Sequence, residues 1–221
     1  MDSPPGLDAV PALSLLDDPV RRRLYAHVCD SGRPVGRDDA ATAAGVARTL
    51  AAYHLDKLAA GGLLDVTFER RSGRSGPGAG RPAKLYARAE WEIAAAVPPR
   101  DYGLAARLLA AAAERDATGT TAAALREAAE SLGRDIAREA EEGTGIEERL
   151  RRRGYEPYDA GDGVVRLRNC PFHAAAREFP EVVCAMNLAL LRGLLSGPGA
   201  RGLDTALEPG PGRCCVAVRH G

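Results

Sequence analysis

Four of the five cysteines fall late in the chain: Cys170 in Asn169-Cys-Pro-Phe-His173, Cys184 in Val182-Val183-Cys-Ala-Met186, and the pair Cys214-Cys215. Thirteen residues separate Cys170 from Cys184, and 29 separate Cys184 from Cys214. Thiolates are the ligands that zinc and iron–sulfur clusters favour, so a set brought together by folding would suit either. Cys184 sits in an apolar run, where plain burial accounts for a free cysteine equally well. Cys170 lies in a turn stiffened by Pro171, which is not a core setting. His173 follows three residues later, the short spacing of zinc sites, so Cys170, His173, Cys184 and Cys214 also compose a closed Cys3His set. Cys214 and Cys215 are neighbours. If both lie in a strand they face opposite ways, and one alone reaches a shared site.

Other cysteine chemistry fits less well. A Cys170 nucleophile with His173 as base needs an orienting group and an oxyanion site, and the sequence offers neither, so no enzyme is expected. A Cys214–Cys215 redox switch requires a strained vicinal disulfide. Cys29, inside the first helix, matches no motif and reads as core.

A second group of residues carries charge for a polyanion. From Val66 to Arg88 the chain has Arg70, Arg71, Arg74, Arg81, Lys84 and Arg88 against Glu69, about five net positive charges by direct count. The glycine-rich stretch from Arg71 to Pro82 suits a wing that reaches DNA backbone or minor groove. Just before it, Ala51, Leu55 and Leu58 stack on one side of a helix. Thr49, Tyr53, Asp56 and Lys57 then point away, with Arg48 and Ala52 near the N-terminal flank. A recognition helix needs that division between an anchored side and a presenting side. Arg48 suits guanine or phosphate, and Thr49 and Tyr53 suit phosphate or a thymine methyl. His54 lies beside the core face and reads as packed.

The elements that must position these residues are legible in outline. Asp17-Asp18-Pro19 opens a helix, with acids at its positive end and proline in the first turn, and Val20, Leu24 and Val28 form its apolar face. A second helix runs over 36–44, Gly45 breaks it, a third covers 46–60, and Gly61-Gly62 leads into a strand at Leu63-Leu64. Three helices followed by strand, loop and strand give a winged helix-turn-helix. From Tyr102 to Arg153 the pattern is helical, with Leu104, Leu108 and Leu109 on one face and Leu125, Leu132 and Ile136 on another. Gly119-Thr120-Thr121 starts a helix and Gly143-Thr144-Gly145 breaks one. Val164 and Leu167 belong to a hairpin turned at Gly161-Asp-Gly163. Glu181 to Leu195 is an apolar helix, and a second hairpin pairs Asp204–Leu207 with Cys215–Arg219.

The expected fold is therefore mainly α with an α+β C-terminal part. A winged helix-turn-helix occupies 10–90, a helical linker and dimerisation region 91–154, and a small α+β cysteine-rich sensor domain 155–221. In 221 residues, 45% hydrophobic with only 5% aromatic, there is material for one or two packed domains rich in helix. Formal net charge is zero, so a nucleic-acid surface has to be local. No apolar run reaches the ~18–20 residues of a membrane span. The acidic, proline-bearing Met1–Val10 does not read as a secretory signal, so a cytoplasmic location is expected.

The segment Val46 to Leu64, with its His54-Leu-Asp-Lys-Leu58 run, resembles the DNA-binding domains of ArsR-type regulators. Together with Cys170-Pro171, Cys184 and Arg213-Cys214, the chain from about residue 10 to 219 looks like the SufR repressors, which sense iron–sulfur clusters and control cluster-assembly genes. The resemblance implies a homodimer on double-stranded DNA and an α+β sensor domain. It implies a [4Fe-4S] or [2Fe-2S] cluster held by Cys170, Cys184 and Cys214, with Cys215 as substitute if the register differs by one. It supplies no fourth ligand, and zinc remains the alternative.

Overall fold

The computed structural model describes residues 9–69, 82–96, 101–140, 143–161, 163–197, 200 and 202–220. The chain is mixed α and β, with helix predominating, and divides into two compact units, Met1–Arg100 and Asp101–Gly221.

In the first unit, α1 (Ala9–Ser14) and a 3-10 turn (Leu15–Asp17) precede α2 (Pro19–Ser31). Asp18 accepts the N–H groups of Val20 and Arg21 on Oδ1, each at 2.9 Å, so it caps orphan donors of α2 beside Pro19. Those bonds, the Arg21 N–H first, hold its carboxyl below the usual range. After β1 (Val35–Gly36) come α3 (Arg37–Ala44) and α4 (Arg48–Ala60), separated at Gly45, whose φ of +64° favours glycine. Then β2 (Leu64–Glu69) and β3 (Ala83–Arg88) pair antiparallel, with Val66 opposite Tyr86. The sheet order is β1-β3-β2; β1 was not legible in the sequence. Leu24, Val28, Ala51, Leu55, Leu58 and Tyr86 form the centre of the core. The three α4 residues expected to face inward are fully buried.

The second unit opens with α5 (Tyr102–Arg115), α6 (Thr120–Glu139) and α7 (Ile146–Arg152). Then follow β4 (Pro157–Asp159), β5 (Val164–Leu167), α8 (His173–Glu178), α9 (Pro180–Leu194), β6 (Leu203–Leu207) and β7 (Val216–His220). The strands make one antiparallel sheet, ordered β4-β5-β7-β6. The helices expected to form a separate linker over 91–154 belong instead to this unit, with α6 packed along α9.

Helix faces here also differ from expectation. In α5 the buried residues are Ala110 and Ala113, whereas Leu104, Leu108 and Leu109 are exposed. In α6 the buried row is Ala129, Gly133 and Ala137; of the expected face Leu132 is exposed, while Leu125 and Ile136 are half-buried and Ile136 packs on the core. Along α6 small side chains face α9 because the two backbones approach closely, which leaves Leu132 outside. Among the described residues no helix is long and apolar enough to cross a membrane.

Candidate functional site

Two places bring chemistry-bearing residues together, one in each unit. The first is the outer side of α4. Arg48, Thr49, Tyr53 and Lys57 are exposed there, with Ala52 half-buried. Lys57 Nζ stands 4.7 Å from the centre of the Tyr53 ring, a cation–π distance that keeps the ring upright beside a positive charge. Arg48 Nε donates to Asp38 Oδ1 at 2.5 Å, but both side chains are more than half exposed, so water screens the pair and Arg48 can exchange partners. His54 is buried and meets Tyr53 edge-on, with ring centres 5.2 Å apart, as expected of a packed histidine.

Asp56 departs from the reading of α4. It was expected to point away with Lys57; instead its carboxylate turns toward β3. Oδ1 accepts from Lys84 Nζ and from the Tyr86 hydroxyl, each at 2.6 Å, while an Arg37 guanidinium N–H donates to Oδ2 at 3.2 Å. Arg37 Nε also donates to the Tyr86 oxygen at 3.0 Å. Burial alone would raise the Asp56 carboxyl, but the bonds from Lys84 and Tyr86 and the charge of Arg37 bring it below its usual range. Burial, and then the Asp56 carboxylate, push the Tyr86 phenol up to about 12. Lys84 is thus a strut between α4 and the hairpin rather than a free contact. Arg37 and Tyr86 had no sequence signal, since nothing in the pattern joins residues 49 apart. Arg70, Arg71, Arg74 and Arg81 lie outside the described residues.

The second place is a group of thiols, two of them buried and two half-buried. Cys170 lies in the turn between β5 and α8, where the His173 N–H donates to its carbonyl at 3.0 Å. Cys184 and Asn187 lie on α9, three residues apart and so on one face. Cys214 and Cys215 precede β7, which begins only at Val216. The Cys214 N–H donates to Leu167 O at 2.8 Å, and Cys215 O accepts from the Glu208 N–H at 2.7 Å. The pair is therefore held between the ends of β5 and β6 as a bend. The expected alternation of a strand does not apply, and both side chains enter the same group.

Cys170 and Cys215 both lie near enough to Cys214 to act on its thiol, and Cys184 acts in the same way on Cys215. All five cysteines are free thiols. Cys170 and Cys214 are 9% and 4% exposed, which puts the centre of the group out of bulk water. Asn187 is completely buried: its amide nitrogen is 3.3 Å from Cys214 Sγ and 4.0 Å from Cys170 Sγ, and its Oδ1 accepts the Tyr155 hydroxyl at 2.5 Å. The Cys214 thiol is held well below its ordinary value, first by the Cys170 thiol bonding to it, then by Cys215, with Asn187 adding to both. Cys170 and Cys215 are pushed up, each chiefly by donating to Cys214 and then by burial. Cys214 is thus the shared acceptor of the group.

As a donor set for a soft metal, these residues fit in chemistry: several thiols, little water, and an amide aimed at sulfur. Among the described residues, however, no three His, Cys, Asp or Glu side chains are arranged to hold an ion, so the sulfurs must rearrange to do so. His173 is exposed at the start of α8, and the structure does not bring it into the sulfur group. Cys29 is half-buried in α2, in the other unit. Asn187, Tyr155 and the joint participation of Cys215 were missed by sequence reasoning. No protein family, characterised protein or solved structure that was compared with the chain matches it.

Proposed function

We propose that this protein is a DNA-binding transcriptional regulator, acting as a homodimeric repressor, whose grip on DNA depends on an iron–sulfur cluster at the C-terminal cysteines. The single observation that carries the reading is the approach of Cys170 and Cys214, from a turn and a bend far apart in sequence, as free buried thiols to the amide of Asn187, which lies one turn along α9 from the half-buried Cys184. Structural cysteines can be buried singly. A shared group with an amide donor aimed at it favours a thiophilic centre.

The first unit supplies the reader. In this proposal α2, α3, α4 and the β2–β3 hairpin are a winged helix-turn-helix, with α4 entering the major groove through Arg48, Thr49, Ala52 and Tyr53. Arg37, Asp56, Lys84 and Tyr86 then fix the hairpin against α4, so that helix and wing meet the duplex as one body. Two heads are needed for half-sites about 34 Å apart. Leu104, Leu108 and Leu109 on α5, exposed by 46%, 63% and 72%, offer an apolar face for a second copy of the chain.

A bound cluster would tie the β5–α8 turn, α9 and the pre-β7 bend together by metal–thiolate bonds that oxidants break. Asn187 orients sulfur, Tyr155 orients Asn187, and α9 carries any change at Cys184 to α6, on which it packs. Control of cluster-assembly genes is the assignment that the resemblance to SufR repressors suggests.

The test is anaerobic purification with iron, sulfide and absorbance analysis, repeated for Cys170→Ser, Cys184→Ser and Cys214→Ser. Selection from a random duplex pool, with and without the cofactor, follows. A brown protein that loses its colour in each variant and retains an inverted repeat supports the reading. Full cofactor content in all three variants removes the sensor, and no duplex retained at low salt in either state removes the regulator.

A further inference from the structure

The sulfur group holds one thiol more than the ligand set that the resemblance implies. We infer that Cys215 binds together with Cys170, Cys184 and Cys214, so that a single chain supplies a complete four-thiolate site for a thiophilic metal centre. The inference rests on reading the sulfur group as a metal site, and deepens it by naming the fourth ligand.

Three observations carry it. First, Cys214 and Cys215 sit in a bend pinned on one side by the bond to Leu167 and on the other by the bond from Glu208, so neither is forced to the far face of a sheet. Second, Cys215 packs on the same core as Cys170 and Cys214, and both Cys214 and Cys184 lie near enough to act on its thiol. Third, the fully buried Asn187, one turn along α9 from Cys184, directs its amide nitrogen toward both Cys170 and Cys214. An amide so placed is suited to sulfurs that carry negative charge.

The scale is suitable for one ion. Metal–sulfur bonds of about 2.3 Å give a tetrahedron with sulfur–sulfur edges of about 3.8 Å, the scale of thiols in contact. What is missing is closure: the sulfurs follow one another from Cys170 through Cys214 and Cys215 to Cys184, and the two ends must approach for the four to surround a point. Cys184 is fixed on α9, but Cys170 lies in a turn, free of the χ1 restrictions of a helix interior, so rotation of its side chain can supply that movement. A larger iron–sulfur cluster would need the same four sulfurs moved outward. The shared chemistry is a soft metal centre with four cysteine ligands.

Cobalt(II) titration of the reduced, metal-free, full-length protein under nitrogen tests the inference. Tetrahedral thiolate ligation gives sulfur-to-cobalt charge-transfer bands whose intensity follows the number of bonds. Cys215→Ser should lower that intensity by about a quarter, one bond in four, and shift the visible bands to higher energy, while Cys29→Ser should change neither. Iron and sulfide reconstitution of the same proteins then distinguishes a cluster from a single ion. Because a variant can disturb folding, the unaltered protein is also alkylated with and without zinc. Cys170, Cys184, Cys214 and Cys215 should all be protected by the metal. A Cys215→Ser spectrum identical to that of the parent, or Cys215 alkylated equally with and without zinc, overturns the inference and leaves a three-thiolate site standing. Charge-transfer bands undiminished in each of Cys170→Ser, Cys184→Ser and Cys214→Ser overturn the metal reading itself.

Discussion

A Cβ placed on Gly133 of α6 would stand 2.9 Å from the Cα of Gly193 on α9, and a Cβ on Gly193 would meet the carbonyl of Glu130. The two helices cross backbone to backbone at this glycine pair. Gly193→Ala is therefore expected to force the helices apart, since the atoms in the way are main chain and cannot rotate aside. Overpacking of this kind costs about 1–3 kcal/mol. Urea unfolding followed by circular dichroism checks it, and a midpoint equal to the parent's would mean that the crossing is looser than described. Gly119→Ala is not an equivalent control, because Gly119 has a φ of +70°.

That crossing also explains why part of the fold was hidden in the sequence. Periodicity picks out large apolar residues, and in α5 and α6 it selected Leu104, Leu108 and Leu132, which the structure leaves exposed. The packed row of α6 is Ala129, Gly133 and Ala137, too small to register as a hydrophobic stripe. Where local chemistry decides, the sequence was readable: Asp18-Pro19 opens α2, Gly45 separates α3 from α4, and Ala51, Leu55 and Leu58 face inward. The bend at Cys214-Cys215 was not foreseen, because the last strand was begun at Cys215, one residue before β7, and the pairing of Glu208 with Cys215 is a tertiary fact. Asp56 was misread for a similar reason, as its partners lie 19, 28 and 30 residues away.

Tyr86 makes the first unit sensitive to alkali. Its phenol is raised to about 12 in the folded chain, against an ordinary value near 10. Above pH 10 the unfolded chain releases this proton while the folded one keeps it. The stabilisation is complete below pH 10 and is lost as pH rises through 12. A shift of that size is worth roughly 2–3 kcal/mol. Trp91, the sole tryptophan, lies in this unit with its Nε1 donating to Gly62 O, so its fluorescence reports the transition. Tyr86→Phe should start less stable and show a flatter decline from pH 10 to 12. Parallel curves for the two proteins would contradict the account.

On α4, exposure separates binding from stability. Arg48→Ala and Tyr53→Ala remove exposed side chains and should change unfolding by no more than about 0.5 kcal/mol. If α4 reads DNA, Tyr53→Ala should weaken binding of a selected duplex by about 1–3 kcal/mol. Arg48→Ala should weaken all duplexes alike and reduce the steepness of the salt dependence by about one unit if its partner is a phosphate. Fluorescence anisotropy at several salt concentrations separates the two. Duplex binding unaltered in both variants would place the interface elsewhere.

Asn187 should act on the sulfurs through its amide rather than through its bulk. Asn187→Asp keeps the outline of the side chain and the acceptor for the Tyr155 hydroxyl, but replaces the donor facing Cys214 and Cys170 with oxygen. An ionised carboxylate there would repel thiolates, and a neutral one would compete for the same space with a single proton. Partners behind a metal's ligands typically alter affinity 10- to 100-fold. Zinc affinity of the reduced protein, measured by competition with a chromophoric chelator, should fall by about that factor. Tyr155→Phe, which keeps the amide but releases its oxygen, should fall less. Unfolding of both metal-free variants gives the structural baseline, since losing a buried bond costs about 1–3 kcal/mol whether or not metal is present. Equal zinc affinity in all three proteins would reduce Asn187 to a packing residue, because a donor that touches sulfur cannot be removed without consequence for a metal that needs those sulfurs charged.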